Sequence, residues 1–212
     1  MLKKLVPPAA AILIIAMSGC GHTMTVTVPP RIDLKEHEVV GVIDFDCSSQ
    51  GELGPVATGR FIDAARRDQG VVRFVRLGPE DEALASVGQD RLDPAAFKAL
   101  GEKHGVKTII TGSLTISDVH PNVTLLQTLT QAGVTADVDA ALAVQMVETA
   151  SGASLWSNSA SATQQVAGLH IFGNKQVALD ATDPEKAYGR LADSLVRAVT
   201  HDFRVTYQRV SQ

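Results

Sequence analysis

The residue with the clearest chemical role is Cys20, which ends the tetrapeptide Met17-Ser18-Gly19-Cys20. Small residues directly before a cysteine are typical of a bacterial lipobox, in which the sulfur is lipidated and the cysteine becomes the new N-terminus. Lys3 and Lys4 precede an apolar stretch over residues 6–17, which is shorter than the roughly 20 residues that a spanning helix needs. The pattern predicts a lipoprotein signal peptide over 1–19 and lipid attachment at Cys20. The alternative is an ordinary signal peptide or anchor with an incidental cysteine.

Gly21 follows the predicted lipid site. In enteric-type sorting an aspartate there would retain a lipoprotein in the inner membrane, so glycine favours the outer membrane. Several buried acyl chains make such an anchor effectively permanent. Cys47 is the second of two cysteines, and lipidation of Cys20 would exclude a disulfide framework. We expect Cys47 to be a small residue at a strand end.

Two pairs of carboxylates have a spacing that acid/base chemistry or metal binding can use, namely Asp44 with Asp46 and Asp137 with Asp139. Members of each pair share a strand face, where a solvated surface is the commoner explanation. The six histidines show no zinc-ligand spacing, and no nucleophile motif is present. They are His22, His37, His104, His120, His170 and His201. We therefore assign no catalytic residue, no cofactor and no metal ligand.

The segment Gly54–Phe61 follows a predicted strand and leads into a helix, as a phosphate-binding loop does. A phosphate loop needs lysine and then serine or threonine after its second glycine, but Arg60 and Phe61 stand there. Pro55 also removes an amide donor. Nucleotide binding is not expected.

Composition limits the remaining classes of function. The chain has 212 residues, of which 45% are hydrophobic and 4% aromatic, with a net charge of −4. The apolar share is that of a globular domain rather than a disordered chain. Few aromatics and no basic run argue against a nucleic-acid partner.

The elements that would position these residues follow the order β-α-β-α-β-β-β-α. Residues 20–37 lack a core-forming pattern and are predicted to be a tether. Strands are expected over 39–45 and 71–77, with a helix over 56–69 between them, and 80–92 is expected to be a loop. Asp93-Pro94 predicts a helix start.

The second half predicts strands over 106–116, 135–147 and 153–165, with a turn at Ser151-Gly152, and a last helix after Asp183-Pro184. The βαβ units imply parallel pairing and the later meander implies antiparallel pairing. We therefore expect an α/β (α+β) fold, with a three-layer-like mixed sheet and a packed C-terminal helix. One domain would cover 38–212, with inserts at 118–134 and 166–182. Trp156 is expected to pack over the sheet or a helix rather than form an exposed binding site.

Three stretches resemble the CsgG/LpoB-like bacterial lipoproteins, whose domain is related to the TolB N-terminal and anticodon-binding-like α/β fold. They are Val39–Phe45, Leu100–Leu114 and Leu142–Ser157. The resemblance implies a family that includes the curli export channel and outer-membrane activators of peptidoglycan synthases. Channel-forming members insert two hairpins per subunit, which would correspond to the inserts at 118–134 and 166–182.

The leading hypothesis is a non-enzymatic outer-membrane lipoprotein, lipid-anchored and facing the periplasm. Its partner would be an envelope protein, either a cell-wall synthase, a secretion component or another copy of itself. The first alternative is a subunit of an oligomeric CsgG-type secretion channel. The second is a periplasmic hydrolase, for which a cleft would have to gather Asp44, Asp46 or Asp137 with a histidine.

The anchor can be tested by metabolic labelling with palmitate. The wild-type chain should incorporate label, and Cys20→Ala should incorporate none, because no other residue offers the lipobox thiol. Cys47→Ala is the matched control and should label as the wild type does. Labelling that persists in Cys20→Ala would refute the predicted site.

Overall fold

The computed structural model describes residues 23–48, 50–51, 53–122, 135–167, 170–171, 177–179 and 184–211. Within these ranges the strands are β1 Thr23–Val28, β2 Val39–Ile43, β3 Asp46–Cys47, β4 Gln50–Gly51, β5 Arg73–Gly78, β6 Thr108–Asn122, β7 Thr135–Glu148, β8 Ser154–Ala167, β9 His170–Ile171, β10 Val177–Leu179 and β11 Thr206–Ser211. The helices there are α1 Leu53–Arg67, α2 Glu80–Ala85, α3 Pro94–His104 and α4 Pro184–Val199.

The main sheet is mixed, with the strand order β5-β2-β6-β7-β8 and the short β3 also paired to β6. β2 runs parallel to both β5 and β6, as the βαβ pattern predicts. β6, β7 and β8 form an antiparallel meander in which Leu114 lies opposite Leu142, and Leu142 lies opposite Ala160. The predicted fold class is confirmed.

Helices cover both faces of this sheet, which gives three layers. One face packs against α1 and α4 through a large apolar cluster that contains Ile110, Leu142, Phe61 and Leu195. The other face packs against α3 and α2 through a smaller cluster around Ile109. This second face is covered where β5, β2 and β6 lie, because the smaller cluster contains one residue of β7 and none of β8.

Local signals that the sequence carries explain several element boundaries. The Asp93 carboxylate accepts a hydrogen bond from the Ala96 N–H at 2.9 Å, and Pro94 begins α3. Gly105 ends that helix with a φ of 65°, and Gly152 turns the chain between β7 and β8 with a φ of 72°. Both positive φ values favour glycine, as the sequence predicts.

Three segments differ from the expectation. The loop expected over 80–92 is wrong in its first six residues, which form α2, because Glu80, Asp81 and Glu82 stabilise a helix N-terminus and Leu84 is buried. The predicted tether contains strand β1, which pairs with β11. The first five residues of the proposed insert at 118–134 continue β6 against β7.

In the second proposed insert, residues 166–167 complete β8, and β10 pairs with both β4 and β9 in a small separate sheet. Residues 123–134 and the rest of 166–182 lie outside the described residues. Residues 29–206 form one compact unit, and β1 belongs to a second unit together with residues 207–212. No helix of the described ranges is long and apolar enough to cross a membrane.

A buried glutamine ties three backbone segments of the larger unit together. Gln69 follows α1 and is 1% exposed. Its Oε1 accepts a hydrogen bond from the Leu34 N–H at 2.7 Å, and its Nε2 donates to the carbonyl oxygens of Ile32 at 2.9 Å and Phe203 at 2.7 Å. One side chain thereby holds the start of the folded domain against the turn that follows α4.

We predict that Gln69→Ala lowers the free energy of unfolding by about 3 kcal/mol, since three buried backbone groups would lose their partner. Gln69→Glu should also destabilise, because a carboxylate cannot donate to the two carbonyl groups. Urea unfolding followed by circular dichroism measures both effects. Gln145→Ala, at an exposed position on β7, is the matched control and should stay within about 0.5 kcal/mol of the wild type.

Candidate functional site

The predicted lipid site, Cys20, lies outside the described residues, as do the signal peptide and the boundary after residue 19. Lipid attachment there therefore stays a prediction. Within the described residues, several carboxylates line a cleft at the carboxyl ends of β2 and β5, and two of them form one of the predicted pairs. We call it the acidic cleft.

The acidic cleft has a volume of about 680 Å³ and is lined by five carboxylates. They are Asp44, Asp46, Glu80, Asp81 and Asp90. Asp44 follows β2, Asp46 lies in β3, and Glu80 and Asp81 begin α2. Two side chains predicted as a pair, Asp44 and Asp46, thus lie in one cleft.

The start of α1 fixes the floor of this cleft. The Thr58 hydroxyl accepts a hydrogen bond from the Phe45 N–H at 2.8 Å and donates to the Gly54 carbonyl at 2.9 Å. A Cβ on Gly54 would lie 2.3 Å from the Phe45 carbonyl oxygen, so only glycine permits this approach. The glycine that resembles part of a phosphate loop is therefore explained by helix-to-strand packing.

One of the five carboxylates has a cationic partner at short range. The Arg76 guanidinium donates to Asp44 through its Nε and to the Pro55 carbonyl oxygen at 3.5 Å. The arginine side chain is 44% exposed, so solvent screens much of this attraction. The cleft keeps a negative field that favours cationic groups.

A second cavity of about 710 Å³ shares Asp46 and Glu80 with the acidic cleft. Apart from Leu92, its remaining lining comes from β6, β7 and β8 and is mostly small and polar, including Ser113, Gln145 and Asn158. The acidic cleft thus opens onto the uncovered part of the sheet. This continuity joins a charged cleft to a neutral polar surface.

Glu80 is the carboxylate of the acidic cleft whose pKa is clearly raised by its surroundings. Burial raises the pKa of Glu80 above its ordinary 4.5, and the nearby Asp46 and Asp81 carboxylates raise this pKa further. A carboxyl with a raised pKa in a cleft is a common feature of functional sites. The acidic run at 80–82 was visible in the sequence, but without the fold nothing linked it to Asp46.

The other predicted carboxylate pair lies elsewhere. Ala143 is opposite Ser113, which is opposite Asp46, whereas Asp139 and Asp137 lie four and six residues further along β7. At about 3.4 Å per residue they are about 14 and 20 Å from that point. The structure does not bring the two pairs together.

The histidines that the structure describes in detail do not line the acidic cleft. His37 Nδ1 lies 2.7 Å from the Thr108 hydroxyl, and His201 Nδ1 lies 3.9 Å from the Asp202 carboxylate. Among the described residues, no group of three or more histidine, cysteine or acidic side chains has the geometry of a metal site. The histidine that a hydrolase mechanism would need is not found at Asp44 or Asp46 within this part of the chain.

Trp156 and Cys47 occupy the structural positions expected of them. Trp156 is 7% exposed, its ring centroid lies 4.6 Å from that of Phe203, and its Nε1 donates to Asp202 at 3.0 Å. The prediction that Trp156 packs over the sheet or a helix, rather than forming an exposed binding site, is confirmed by its burial in the larger apolar cluster. Cys47 ends the two-residue strand β3 and is half-buried against the larger apolar cluster.

No family model matches the chain, and no curated protein matches it. Several solved structures are similar. The PelC dodecamer from Paraburkholderia phytofirmans is 11% identical, with a TM-score of 0.47 over 86% of this chain and 97% of that one.

Two further structures share a smaller part of the architecture. Lipoprotein GNA1162 from Neisseria meningitidis is 17% identical, with a TM-score of 0.35 over 60% of this chain and 83% of that one. The LpoB C-terminal domain from Escherichia coli is also 17% identical, with a TM-score of 0.37 over 60% of this chain and 84% of that one.

The raised pKa of Glu80 predicts a specific pH dependence of stability. The folded state holds the Glu80 proton more tightly than the unfolded state, so the protein loses stability as pH rises from 4.5 through the raised pKa. Glu80→Gln should remove this loss and raise the free energy of unfolding at pH 7 by up to about 1 kcal/mol.

Urea unfolding across pH 3 to 8 measures this effect, and the two proteins should converge below pH 4.5. Glu102→Gln removes a carboxylate from an exposed position on α3 and is the matched control. If the stability difference between Glu80→Gln and the wild type does not change with pH, the pKa of Glu80 is not raised in the folded state.

Proposed function

We propose that this protein is a non-enzymatic, lipid-anchored outer-membrane lipoprotein whose α/β domain binds an envelope protein in the periplasm. The predicted lipobox at Cys20 supports the anchor, and the leader before it supports export. The observation that carries the binding function is the outer edge of β8.

β8 is an edge strand of 14 residues with the sequence SLWSNSASATQQVA. Among the described strands, β8 pairs with β7 alone. Natural edge strands avoid pairing with other chains by being short or by carrying lysine, proline or inward-pointing charge. β8 is long and contains none of these, so its edge is suited to accept a further strand.

The backbone of β8 presents hydrogen-bonding groups at this edge. The Ser159 N–H donates to the Asn158 side-chain oxygen at 2.9 Å, so this N–H points away from β7. Successive residues of a strand alternate in direction, and the Ser161 N–H therefore points the same way. The Asn158 amide also donates to the Val199 carbonyl at 3.1 Å, which holds it at the end of α4.

The sheet face beside this edge is exposed and carries small polar side chains. We call it the open face, and it includes Ser113, Thr115, Ala143, Gln145, Ser157, Ser159 and Ser161. α2 and α3 cover the neighbouring part of the same side through the smaller apolar cluster. A partner strand on β8 would continue the sheet, and its side chains would lie next to the open face.

Two alternatives remain. A subunit of a secretion channel would assemble through contacts between copies, and the β6–β7 pairing that extends over residues 118–122 and 135–139 supplies a long hairpin for such contacts. A periplasmic hydrolase would take its acid/base groups from the acidic cleft, where Asp44 and Asp46 lie and where burial raises the pKa of Glu80. Ring-shaped particles in detergent would favour the channel, and turnover that depends on Glu80 would favour the hydrolase.

The proposal predicts that blocking the β8 edge abolishes partner binding in cells. A photocrosslinking amino acid at Leu155, which is 42% exposed on β8, should give a discrete adduct with an envelope protein. Ser161→Pro removes the outward N–H and should reduce this adduct at least about tenfold. Ser161→Lys should do the same through edge charge.

Ser161→Ala is the matched control, because it keeps the backbone donor and should leave the adduct unchanged. Urea unfolding of each variant separates loss of binding from loss of fold. A crosslinker at the exposed Lys98 on α3 should give no adduct. If the Leu155 adduct persists in both Ser161→Pro and Ser161→Lys, the edge is not the binding surface.

A further inference from the structure

The side of the domain formed by the ends of α1 and α4 contains a cavity that the proposed function does not use. It has a volume of about 340 Å³ and is lined by arginines from three segments. Arg60 and Arg67 come from α1, Arg197 comes from α4, and Arg204 follows the turn after α4. We call it the arginine cavity. Such a concentration of guanidinium groups is unusual in a chain of net charge −4.

The acidic residues of the cavity leave half of this positive charge uncompensated. Asp63 and Asp193 also line the cavity, and Asp193 pairs with Arg60 at 3.5 Å. Within the described part of the chain, no carboxylate lies within 4.0 Å of a guanidinium nitrogen of Arg67, Arg197 or Arg204. Four cations and two anions face one small space.

Arg204 is the least satisfied member. Its Nη2 donates to the Thr200 hydroxyl at 3.0 Å. Its Nε is buried, and none of the described atoms accepts a hydrogen bond from it. A buried polar atom without a partner is costly, and each such case calls for an explanation. An acceptor supplied by a ligand would satisfy this group.

The electrostatics of Arg204 agree with this geometry. Burial lowers the pKa of Arg204, and the charges of Arg67 and Arg197 lower this pKa further, although Asp68 acts in the opposite direction. Three guanidinium groups that destabilise one another would all be stabilised by a single anion between them.

We propose that the arginine cavity binds a phosphate group, with Arg67, Arg197 and Arg204 as its ligands. Guanidinium forks match the oxygen geometry of phosphate and donate two hydrogen bonds at a time. The cavity is large enough for a phosphate together with a small substituent, so both free phosphate and the headgroup of a phospholipid carry the required chemistry.

If the proposed lipid anchor at Cys20 is present, on which this step rests, a lipid surface lies within reach of the arginine cavity. Arg31 bonds to Asp202 at 3.3 Å, and the Ile32 N–H bonds to the Asp202 carbonyl at 3.1 Å. The chain towards Cys20 therefore leaves this unit beside Asp202, which is two residues before Arg204 in sequence. The eleven residue-to-residue steps from Cys20 to Arg31 span at most about 40 Å.

Isothermal titration calorimetry on the purified full chain at fixed ionic strength tests the proposal. One arm titrates inorganic phosphate, and the other titrates glycerophosphoglycerol, the water-soluble headgroup of phosphatidylglycerol. The double variant Arg67→Gln/Arg197→Gln should bind at least about tenfold more weakly, because two charge-assisted contacts are lost. Arg204→Lys keeps the charge but removes the Nε donor and should also weaken binding.

The matched control is Arg73→Gln/Lys98→Gln, which removes two exposed cations elsewhere on the domain and should bind as the wild type does. Tighter binding of glycerophosphoglycerol would identify a lipid headgroup as the source, and tighter binding of inorganic phosphate would identify the free anion. The proposal is overturned if neither probe binds the wild type. It is also overturned if the control weakens binding as much as the cavity variant does.

Discussion

The interaction on which the larger unit depends most is the set of three hydrogen bonds made by the buried Gln69 amide. α1 ends at Arg67, and two residues later this side chain bonds both to the start of the folded unit at Ile32 and Leu34 and to the turn at Phe203. Neither of these segments belongs to the main sheet. Their positions are therefore set by contacts other than strand pairing in that sheet, namely the backbone hydrogen bond from the Ile32 N–H to the Asp202 carbonyl and the side-chain bonds of Gln69.

The aromatic cluster beside Gln69 supplies the apolar part. The Phe203 ring lies 6.0 Å from Phe61 of α1 and 4.6 Å from Trp156 of β8. Phe203 thus links a helix to an edge strand through ring contacts that also bury the turn after α4. Asp202 in the same turn accepts a hydrogen bond from the Trp156 indole and pairs with Arg31. The turn therefore holds the start of the domain and the beginning of β8, and Arg204 follows it directly.

Much of this architecture was predictable because the deciding signals are local. Asp93, Pro94 and Gly105 bound α3 by capping chemistry, and alternating apolar residues mark the buried side of β7. The acidic cleft and the arginine cavity were not predictable, because Asp46 and Glu80, or Arg67 and Arg204, meet only when distant segments pack. The extension of β6 past Ile116 was also hidden, since polar residues pair there through the backbone without an apolar pattern.

Charge in this unit is arranged along α1. Pro55 in the first turn lines the acidic cleft, and Arg67 at the last residue lines the arginine cavity. Pro55 and Arg67 are twelve residues apart on the helix, which corresponds to about 18 Å along its axis. Carboxylates near the helix N-terminus and guanidinium groups at its C-terminus both have the sign that the helix dipole favours. Arg31 pairs with Asp202, two residues before Arg204, so the start of the larger unit lies beside the basic end. A single anion bound between Arg67, Arg197 and Arg204 would relieve the repulsion among these three guanidinium groups, because it would place a negative charge close to all of them.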